Sequence, residues 1–237
     1  MTPQPTDNYM VTIAERLTSA YARIAQAAKN NRRDEQSINL LAVSKTKPAD
    51  DIIAAYEHGQ RQFGESYVQE AVTKVTALAD YKDIIWHFIG PIQSNKSAQV
   101  ASHFDWVQSV DRTKIAKRLN EQRPADKAPL NVLIQVNISL EEAKSGCHPD
   151  ELMALAEFIS QCPNLCLRGL MAIPAKTDDA QLQLQYFEQL SACFDKLKAQ
   201  YPQVDTLSMG MSNDVEAAIA AGSTMVRIGT DIFGQRN

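Results

Sequence analysis

The sequence predicts an α/β protein in which eight parallel strands and their connecting helices close into one TIM-type (β/α)8 barrel. Three observations lead to this prediction. Short apolar runs alternate with helical patterns from residue 38 onwards, there are eight such runs, and a long helical pattern precedes the first of them. Eight strands are enough to close a barrel, and unbroken strand–helix alternation predicts right-handed crossovers.

The eight apolar runs have the character of strands buried on both faces of a parallel sheet. They are short, rich in β-branched residues, and bounded by Gly, Pro or Asn. The second and seventh runs are weak signals by themselves and depend on their place in the alternation. The runs cover residues 38–43, 62–64, 84–89, 105–110, 130–136, 165–172, 206–209 and 224–228.

Amphipathic helices are predicted between the strands. Residues 66–79, 151–161 and 182–200 each carry apolar side chains at spacings of three or four, which form one apolar stripe per helix. Gly59 and Gly222 each follow a predicted helix, where a C-terminal cap with left-handed backbone is expected.

The two ends of the sequence favour a closed barrel. Residues 229–237 are too few for a full last helix, and the helical pattern at 9–29 is expected to fill the missing position in the outer ring. The alternative is an open, doubly wound sheet, but no GxGxxG motif follows any predicted strand. Because no Gly/Ser-rich or charged linker interrupts the pattern, we expect residues 1–237 to form one domain.

Composition excludes several classes of function. The formal net charge of -4 provides no basic field for nucleic acid. No segment approaches the roughly 20 apolar residues of a membrane span, and the first ten residues lack the features of a secretory signal. The four cysteines form no CxxC pair, so neither a disulfide framework nor a metal site is expected. These features predict a cytoplasmic monomer without nucleic-acid or membrane partners.

Lys45 is the sharpest candidate for chemistry, because active sites of (β/α) barrels lie at the carboxyl ends of the strands. It follows the first predicted strand on the same side as Leu41 and Val43. An amine at the barrel mouth is partly desolvated, which favours the neutral form that makes imines. Lys47 has the same parity and remains an alternative, although its position before Pro48 biases it into the loop.

The turns after the seventh and eighth strands resemble phosphate-binding turns. Residues 210–213 and 227–230 each contain a glycine, and Ser212 or Asn213 is expected to cap the helix that follows. Ordinary turn chemistry explains the same residues. The acidic Asp214, at the start of that helix, would also partly cancel its attraction for an anion.

Three further side chains lie at strand ends or inside a strand. Arg227 is either a buried structural guanidinium or a ligand contact. His87 is predicted to be a core histidine with satisfied hydrogen bonds rather than a base. Lys144, in the loop after the fifth strand, is interpreted as a solvated lysine, with a second ligand-facing amine as the alternative.

Six motifs stand out along the sequence: LLAVSKTKP (40–48), QRQFGESYVQE (60–70), WHFIGPIQSNK (86–96), RGLMAIP (168–174), LSMGMSND (207–214) and MVRIGTDIFG (225–234). In this order they resemble the PLP (pyridoxal 5′-phosphate) homeostasis protein family, which is related to alanine racemase. The resemblance implies a fold-type III PLP barrel like the N-terminal domain of alanine racemase.

The resemblance implies a cofactor site as well as a fold. It implies PLP bound covalently as a Schiff base on Lys45, phosphate on Ser212 and the turn after Arg227, and the pyridine nitrogen beside Arg227. This chain has Ser66 where the family usually has Asn, and a hydroxyl replaces only part of an amide's hydrogen bonding. The full set of expected cofactor contacts is Lys45, Ser66, Met209, Ser212, Arg227, Gly229 and Thr230.

The same features favour a PLP carrier over an enzyme. An arginine beside the pyridine nitrogen keeps that nitrogen unprotonated, which makes PLP a poorer electron sink. Racemisation needs a second acid or base, which in alanine racemase comes from another domain, and this chain ends soon after its last strand. We therefore predict vitamin B6 homeostasis, with transient transfer of PLP to apo-enzymes and no catalytic or metal-binding residues. The alternatives are a weak amino-acid racemase and a cofactor-free lyase that uses Lys45.

Overall fold

Eight parallel strands form a closed barrel in which each strand pairs with the next and the eighth pairs with the first. The computed structural model describes residues 11–141 and 143–235. It confirms the predicted closed barrel, and the open-sheet alternative is wrong. The strands are β1 (Asn39–Val43), β2 (Gln62–Glu65), β3 (Ile85–Phe88), β4 (Trp106–Val110), β5 (Leu130–Gln135), β6 (Leu165–Met171), β7 (Thr206–Met211) and β8 (Met225–Ile228).

Helices surround the barrel and connect consecutive strands. Those in the described ranges are α1 (Ile13–Asn30), α2 (Ala49–Glu57), α3 (Val68–Ala77), α4 (Ser97–His103), α5 (Thr113–Gln122), α6 (Leu152–Ser160), α7 (Ala180–Gln200), α8 (Val215–Ala220) and the single turn α9 (Thr230–Phe233). Gly59 (φ +92°) and Gly222 (φ +104°) have the predicted left-handed backbone after α2 and α8.

Helix α1 completes the outer ring, as its position before β1 predicts. Thr12 caps its first turn reciprocally with Glu15, and the helix contacts α8, α9 and α2. Its buried face includes Leu17 and Ile24. The expected start at residue 9 lies outside the described residues.

Most element boundaries differ from the sequence prediction by one or two residues, and two of these differences lie at the carboxyl end of the barrel. Helix α3 begins at Val68 rather than at residue 66, because Tyr67 has extended backbone and the Ser66 main chain packs against Gly90. A Cβ atom on Gly90 would lie 2.1 Å from the Ser66 carbonyl oxygen. Strand β7 extends to Met211, two residues beyond the predicted end.

Side chains of the strands alternate between two different environments. Those that point outwards, such as Leu40, Ala42 and Phe88, join one apolar cluster with the helices. Burial of such a side chain stabilises the fold by about 1.5–3 kcal/mol. The inward-facing set includes Leu41, whose side chain would lie 3.1 Å from a Cβ atom on Gly64. The same inner face also carries polar side chains.

Three features concern the part of the chain that the structure describes. There, no helix combines the length and apolar character required to cross a membrane. No cluster of three or more His, Cys, Asp or Glu side chains in that part is placed to hold a metal ion. All four cysteines are free.

Candidate functional site

Lys45 lies at the carboxyl end of the barrel, two residues beyond β1, and is half-buried. Barrel closure places β8 beside β1, with Leu41 in register with Arg227. The turn after β8 therefore lies next to the Lys45 turn, and a Cβ atom on Gly229 would approach the Val43 carbonyl oxygen to 3.2 Å. Closure thus brings together two segments that are more than 180 residues apart in sequence.

Lys47, the alternative amine, is also half-buried but is directed elsewhere. Its Nζ donates to the main-chain oxygen of Gln235 at 2.7 Å. Between the two lysines, Thr46 has φ +65°, the left-handed conformation that a β-branched residue rarely adopts. The two lysines have the same parity, but the Lys47 amine is bonded to residue Gln235, so Lys45 stays the candidate amine.

An ion cluster lies directly behind the Lys45 turn, on the helix side of β2. Lys74 of α3 donates to Glu65 at 2.8 Å, to Glu70 at 2.5 Å and to the Ser44 carbonyl oxygen at 2.8 Å. The Ser44 hydroxyl donates to Glu65 at 2.6 Å, and the Thr46 amide donates to Glu70 at 2.5 Å. Both neighbours of Lys45 are therefore bound to the same cluster.

Burial dominates the electrostatics of this cluster. The pKa of Glu65 is raised by desolvation, and Lys74 opposes the rise by favouring the ionised carboxylate. Sequence reasoning missed Lys74, because α3 was considered only as an amphipathic helix. The sequence does contain a signal for it. Lys74 lies three residues after Ala71 and four residues after Glu70, so it falls on the face of α3 that packs against the barrel.

A second polar network crosses the barrel interior and holds Arg227. The Arg227 guanidinium is almost fully buried and donates to the Ser208 hydroxyl (2.7 Å), the Ser208 carbonyl oxygen (2.9 Å) and the Ala172 carbonyl oxygen (2.9 Å). The Ser208 hydroxyl then donates to Gln108 at 2.7 Å. Because β4 and β7 are not neighbours in the barrel, the Ser208–Gln108 bond must span the interior. Burial lowers the pKa of Arg227 to about 10, so the side chain stays charged at neutral pH.

His87 is the far end of this interior chain. Gln108 donates to its Nδ1 at 3.0 Å, and the ring stacks on Trp106 with centroids 5.2 Å apart. The prediction of a fully satisfied core histidine is wrong in one respect, because Nε2 is buried without a hydrogen-bond partner in the described ranges. Desolvation lowers the pKa of His87 to about 3, which keeps the ring neutral.

The turn after β7 depends on Gly210. Ser208 pairs with Met225 and Met211 pairs with Arg227, so β7 contains an extra residue relative to β8. Gly210, inside this bulge, has φ +93°, and a Cβ atom there would lie 2.5 Å from the Cβ of Ala218. Any other residue would therefore meet both backbone strain and a steric clash.

Capping of α8 differs from the prediction. Neither Ser212 nor Asn213 caps the helix; the residue at the N-cap position is Asp214, whose carboxylate accepts the Met211 amide at 2.5 Å. Burial raises the pKa of Asp214, while Arg227 and Arg23 oppose this rise. The Ser212 side chain is consequently not used for capping.

Arg23 of α1 connects the two turns that are predicted to bind phosphate. It donates to the Ser212 carbonyl oxygen at 2.6 Å, to Glu216 at 2.5 Å and to Asp231 of α9 at 3.1 Å. The acidic residues near the turns are thus partly neutralised by a helix that precedes the barrel. Sequence reasoning missed Arg23, because 189 residues separate it from Ser212.

The remaining predicted site residues occupy different positions. Thr230 is exposed at the start of α9, and Ser66 is half-buried on the rim after β2. Met209 is fully buried in the apolar cluster between strands and helices, so its side chain does not face the mouth. Lys144 is not simply solvated: it donates to the Pro174 carbonyl oxygen at 2.8 Å and joins the loops after β5 and β6.

The opposite end of the barrel contains a cavity of about 440 Å³. Arg168 lines it, but this guanidinium is already bound to Asp205 and Asn131 and lies over the Trp106 ring at 4.7 Å from its centroid. Its charge is therefore satisfied within the protein. The carboxyl end instead combines a half-buried amine, an arginine bonded to neutral oxygens, and glycine-containing turns, which suit an aldehyde that bears an anionic group.

Comparisons with known proteins agree with this arrangement. The family described as "Alanine racemase, N-terminal domain" matches residues 16–237. The pyridoxal phosphate homeostasis protein of Pasteurella multocida is 56% identical over 96% of this chain and 99% of its own length. The Escherichia coli K12 protein of the same name is 54% identical over 96% of this chain and 98% of its own length. The chain belongs to the pyridoxal phosphate homeostasis protein family.

Solved structures place the family within a broader fold group. PipY of Synechococcus elongatus, solved with PLP bound, superimposes with a TM-score of 0.82 at 38% identity and covers 94% of this chain and 100% of its own. Alanine racemase from Corynebacterium glutamicum gives a TM-score of 0.68 at 16% identity, over 94% of this chain and 61% of the racemase. The second likeness concerns the fold alone. Both comparisons agree with the resemblance that the six motifs predicted.

Proposed function

We propose that this protein binds PLP covalently as a Schiff base on Lys45 and carries or buffers the cofactor in vitamin B6 homeostasis. The single observation that supports this most strongly is the arrangement at the closure of the barrel. The half-buried Lys45, the buried Arg227 and the glycine turn after β8 meet at one mouth, in a family named for PLP homeostasis.

The residues present fit the chemistry of PLP. Ser212, Gly229 and Thr230 would hold the phosphate through hydroxyl and main-chain N–H donors, as turns after strands seven and eight do in other barrels. Arg227 would face the pyridine nitrogen. When bound, PLP supplies an aldehyde: Nζ of Lys45 adds to the aldehyde carbon, a C=N bond replaces C=O, and one water molecule leaves.

A carrier role is supported by the charge state of Arg227. Its three hydrogen bonds in the described ranges go to neutral oxygens, so the positive charge stays available to keep a facing pyridine nitrogen unprotonated. That state is unsuited to strong electron withdrawal from a substrate.

Transfer to apo-enzymes is part of the proposal. Large apolar side chains are exposed on the loops around the mouth, at Tyr67 after β2, Leu140 after β5, Ile173 after β6 and Met211 at the end of β7. Such a rim suits brief contact with another protein.

In the part of the chain that the structure describes, every strand of the barrel pairs on both sides, so no sheet edge is open to a second copy, and we expect a monomer. The four free cysteines suit a reducing cytoplasm.

Reductive trapping tests the proposal. PLP is added to the purified protein, the mixture is reduced with borohydride, and the modified lysine is mapped by mass spectrometry. We expect the pyridoxyl group on Lys45, with no imine absorbance in Lys45→Ala. Lys47→Ala is the matched control, because it removes a half-buried amine from the same turn and should keep both the absorbance and the adduct. An adduct on another lysine of the wild type would contradict the assignment.

A second measurement separates the carrier from a racemase. Loaded protein is incubated with L-alanine in deuterated water, and exchange of the α-proton is followed by NMR. We expect no steady exchange beyond that caused by free PLP. Sustained turnover would replace the carrier with a racemase.

A further inference from the structure

We propose that Lys74, Glu65 and Glu70 form a clamp whose purpose is to position the Lys45 turn for capture of the aldehyde. This inference rests on the proposed function and adds to it three positioning residues that do not touch the cofactor themselves. The clamp acts on the residues before and after Lys45 and fixes the direction in which its side chain leaves the backbone.

The geometry of the clamp converges on one turn. A single Glu70 oxygen, Oε1, accepts both the Lys74 ammonium and the Thr46 amide, each at 2.5 Å. A single Glu65 oxygen accepts both Lys74 at 2.8 Å and the Ser44 hydroxyl at 2.6 Å. Lys74 also reaches the Ser44 carbonyl oxygen. The backbone on each side of Lys45 is therefore bonded to a charged group.

The conformation of Thr46 explains why such a clamp is needed. A threonine with φ +65° is strained, and such a conformation persists only where surrounding contacts hold it. Without the Glu70 contact, the turn would relax towards ordinary φ values. Because Lys45 precedes Thr46 directly, relaxation would turn its side chain away from the inward-facing side of β1.

Burial makes the clamp stiff. The side chain of Lys74 is 8% exposed and that of Glu65 is fully buried, so water competes little for their hydrogen bonds. A surface ion pair would supply little free energy for this task. The position of the cluster between β2 and α3 also anchors the turn to rigid elements rather than to another loop.

The test begins with the apo-protein, so that it does not depend on PLP. Hydrogen exchange of the Thr46 amide is followed by NMR in wild type, Glu70→Ala and Lys74→Met. The two variants should exchange this amide about tenfold faster or more, the loss expected for one hydrogen bond to a charged group. The rate of borohydride-trapped labelling of Lys45 at fixed PLP should fall by a similar factor.

Two matched variants make the result specific. Glu70→Gln keeps an oxygen that can accept the Thr46 amide, and should recover most of the slow exchange and most of the capture rate. Lys117→Met removes a lysine from another i,i+4 pair with a glutamate, an exposed one in α5, and should leave both measurements at wild-type values. Because Glu70 is partly exposed, its variants stay informative even if Lys74→Met fails to fold.

Unchanged Thr46 exchange and unchanged capture in Glu70→Ala would overturn the clamp, as would an equal loss of capture in Glu70→Gln and Glu70→Ala. Absence of any adduct on wild-type Lys45 is a different result: it counts against the proposed function, whereas the exchange measurement still decides whether Glu70 and Lys74 hold the turn.

Discussion

The turn that carries Lys45, just after β1, and the Arg227 guanidinium of β8 are held in opposite ways. The Lys45 turn is anchored from outside the barrel by charged side chains: Glu70 and Lys74 bind its backbone, and Glu65 accepts the Ser44 hydroxyl. Arg227 is anchored from inside by neutral partners that bind its side chain. One network fixes a main chain that leaves a strand, and the other fixes a side chain within a strand.

The difference fits what each group does in the proposed function. The bonds at the Lys45 turn go to the residues on either side of the lysine, which suits capture of an aldehyde by its amine. In the same proposal Arg227 presents its charge to the cofactor; its hydrogen bonds go to a hydroxyl and two carbonyl oxygens, and the Asp214 carboxylate interacts with it through charge. Burial of the charged outer network costs free energy that well-matched ion pairing must offset. The uncharged partners of the inner network are stabilised by their hydrogen bonds.

The largest effect should come from Lys74→Met, which breaks the outer network. It leaves the fully buried Glu65 without its cation, and removal of one partner of a buried pair destabilises a protein by about 3–5 kcal/mol. The measurement is urea unfolding of apo-protein across pH. Burial already raises the pKa of Glu65 and Lys74 opposes that rise, so the variant's pKa should be higher still.

The pH dependence of that loss has a definite sign. A carboxyl with a raised folded pKa binds its proton more tightly in the folded state, so its contribution is fully present at low pH and is lost as pH rises through the folded pKa. The difference between wild type and Lys74→Met should therefore grow from acid towards neutral pH. A difference that shrinks over this range would show that Glu65 does not carry the effect.

A smaller effect should come from Ser208→Ala, which interrupts the inner network. The change leaves Gln108 Oε1 and one Arg227 N–H with fewer partners in the interior, at a cost of about 1–3 kcal/mol. In this variant the absorbance of bound PLP should also change with pH. The reason is that a less firmly held Arg227 is less able to keep the pyridine nitrogen unprotonated. Ser223→Ala is the control: this serine is equally buried but bonds only to main-chain oxygens. Equal spectral shifts in both variants would contradict a specific role for Ser208.

The smallest effect should be seen at His87. Its folded pKa is lowered to about 3, so below the ordinary value near 6.5 the unfolded state binds a proton that the folded state refuses. His87 should therefore reduce stability as pH falls, by up to about 1.4 kcal/mol per pH unit. His87→Asn should lack this contribution, so its unfolding free energy should change less than that of wild type between pH 7 and 5.5. Parallel pH profiles would mean that His87 titrates normally.

Local patterns in the sequence determined the architecture. The alternation of strands and helices predicted the barrel, and the position of Lys45 just after β1 made it the first candidate amine, with Lys47 as the alternative. The glycines with left-handed backbone after α2 and α8 were also predicted from local sequence. The end of a helix favours such a residue directly after it. Each of these signals spans a few residues, which is why the sequence suffices to read them.

Only the tertiary structure decided which side chains hold the site. Arg23 and Ser212 lie 189 positions apart, Ser208 and Gln108 lie 100 apart, and Lys74 reaches Ser44 across 30 residues and two elements. Such partners carry no local pattern, because each looks like an ordinary polar residue until barrel closure sets its neighbours. The sequence by itself determined the fold and the family and made Lys45 the candidate amine, while the packing of helices and strands decided which side chains bond to the turn around it, since buried hydrogen bonds depend on distances in space rather than along the chain.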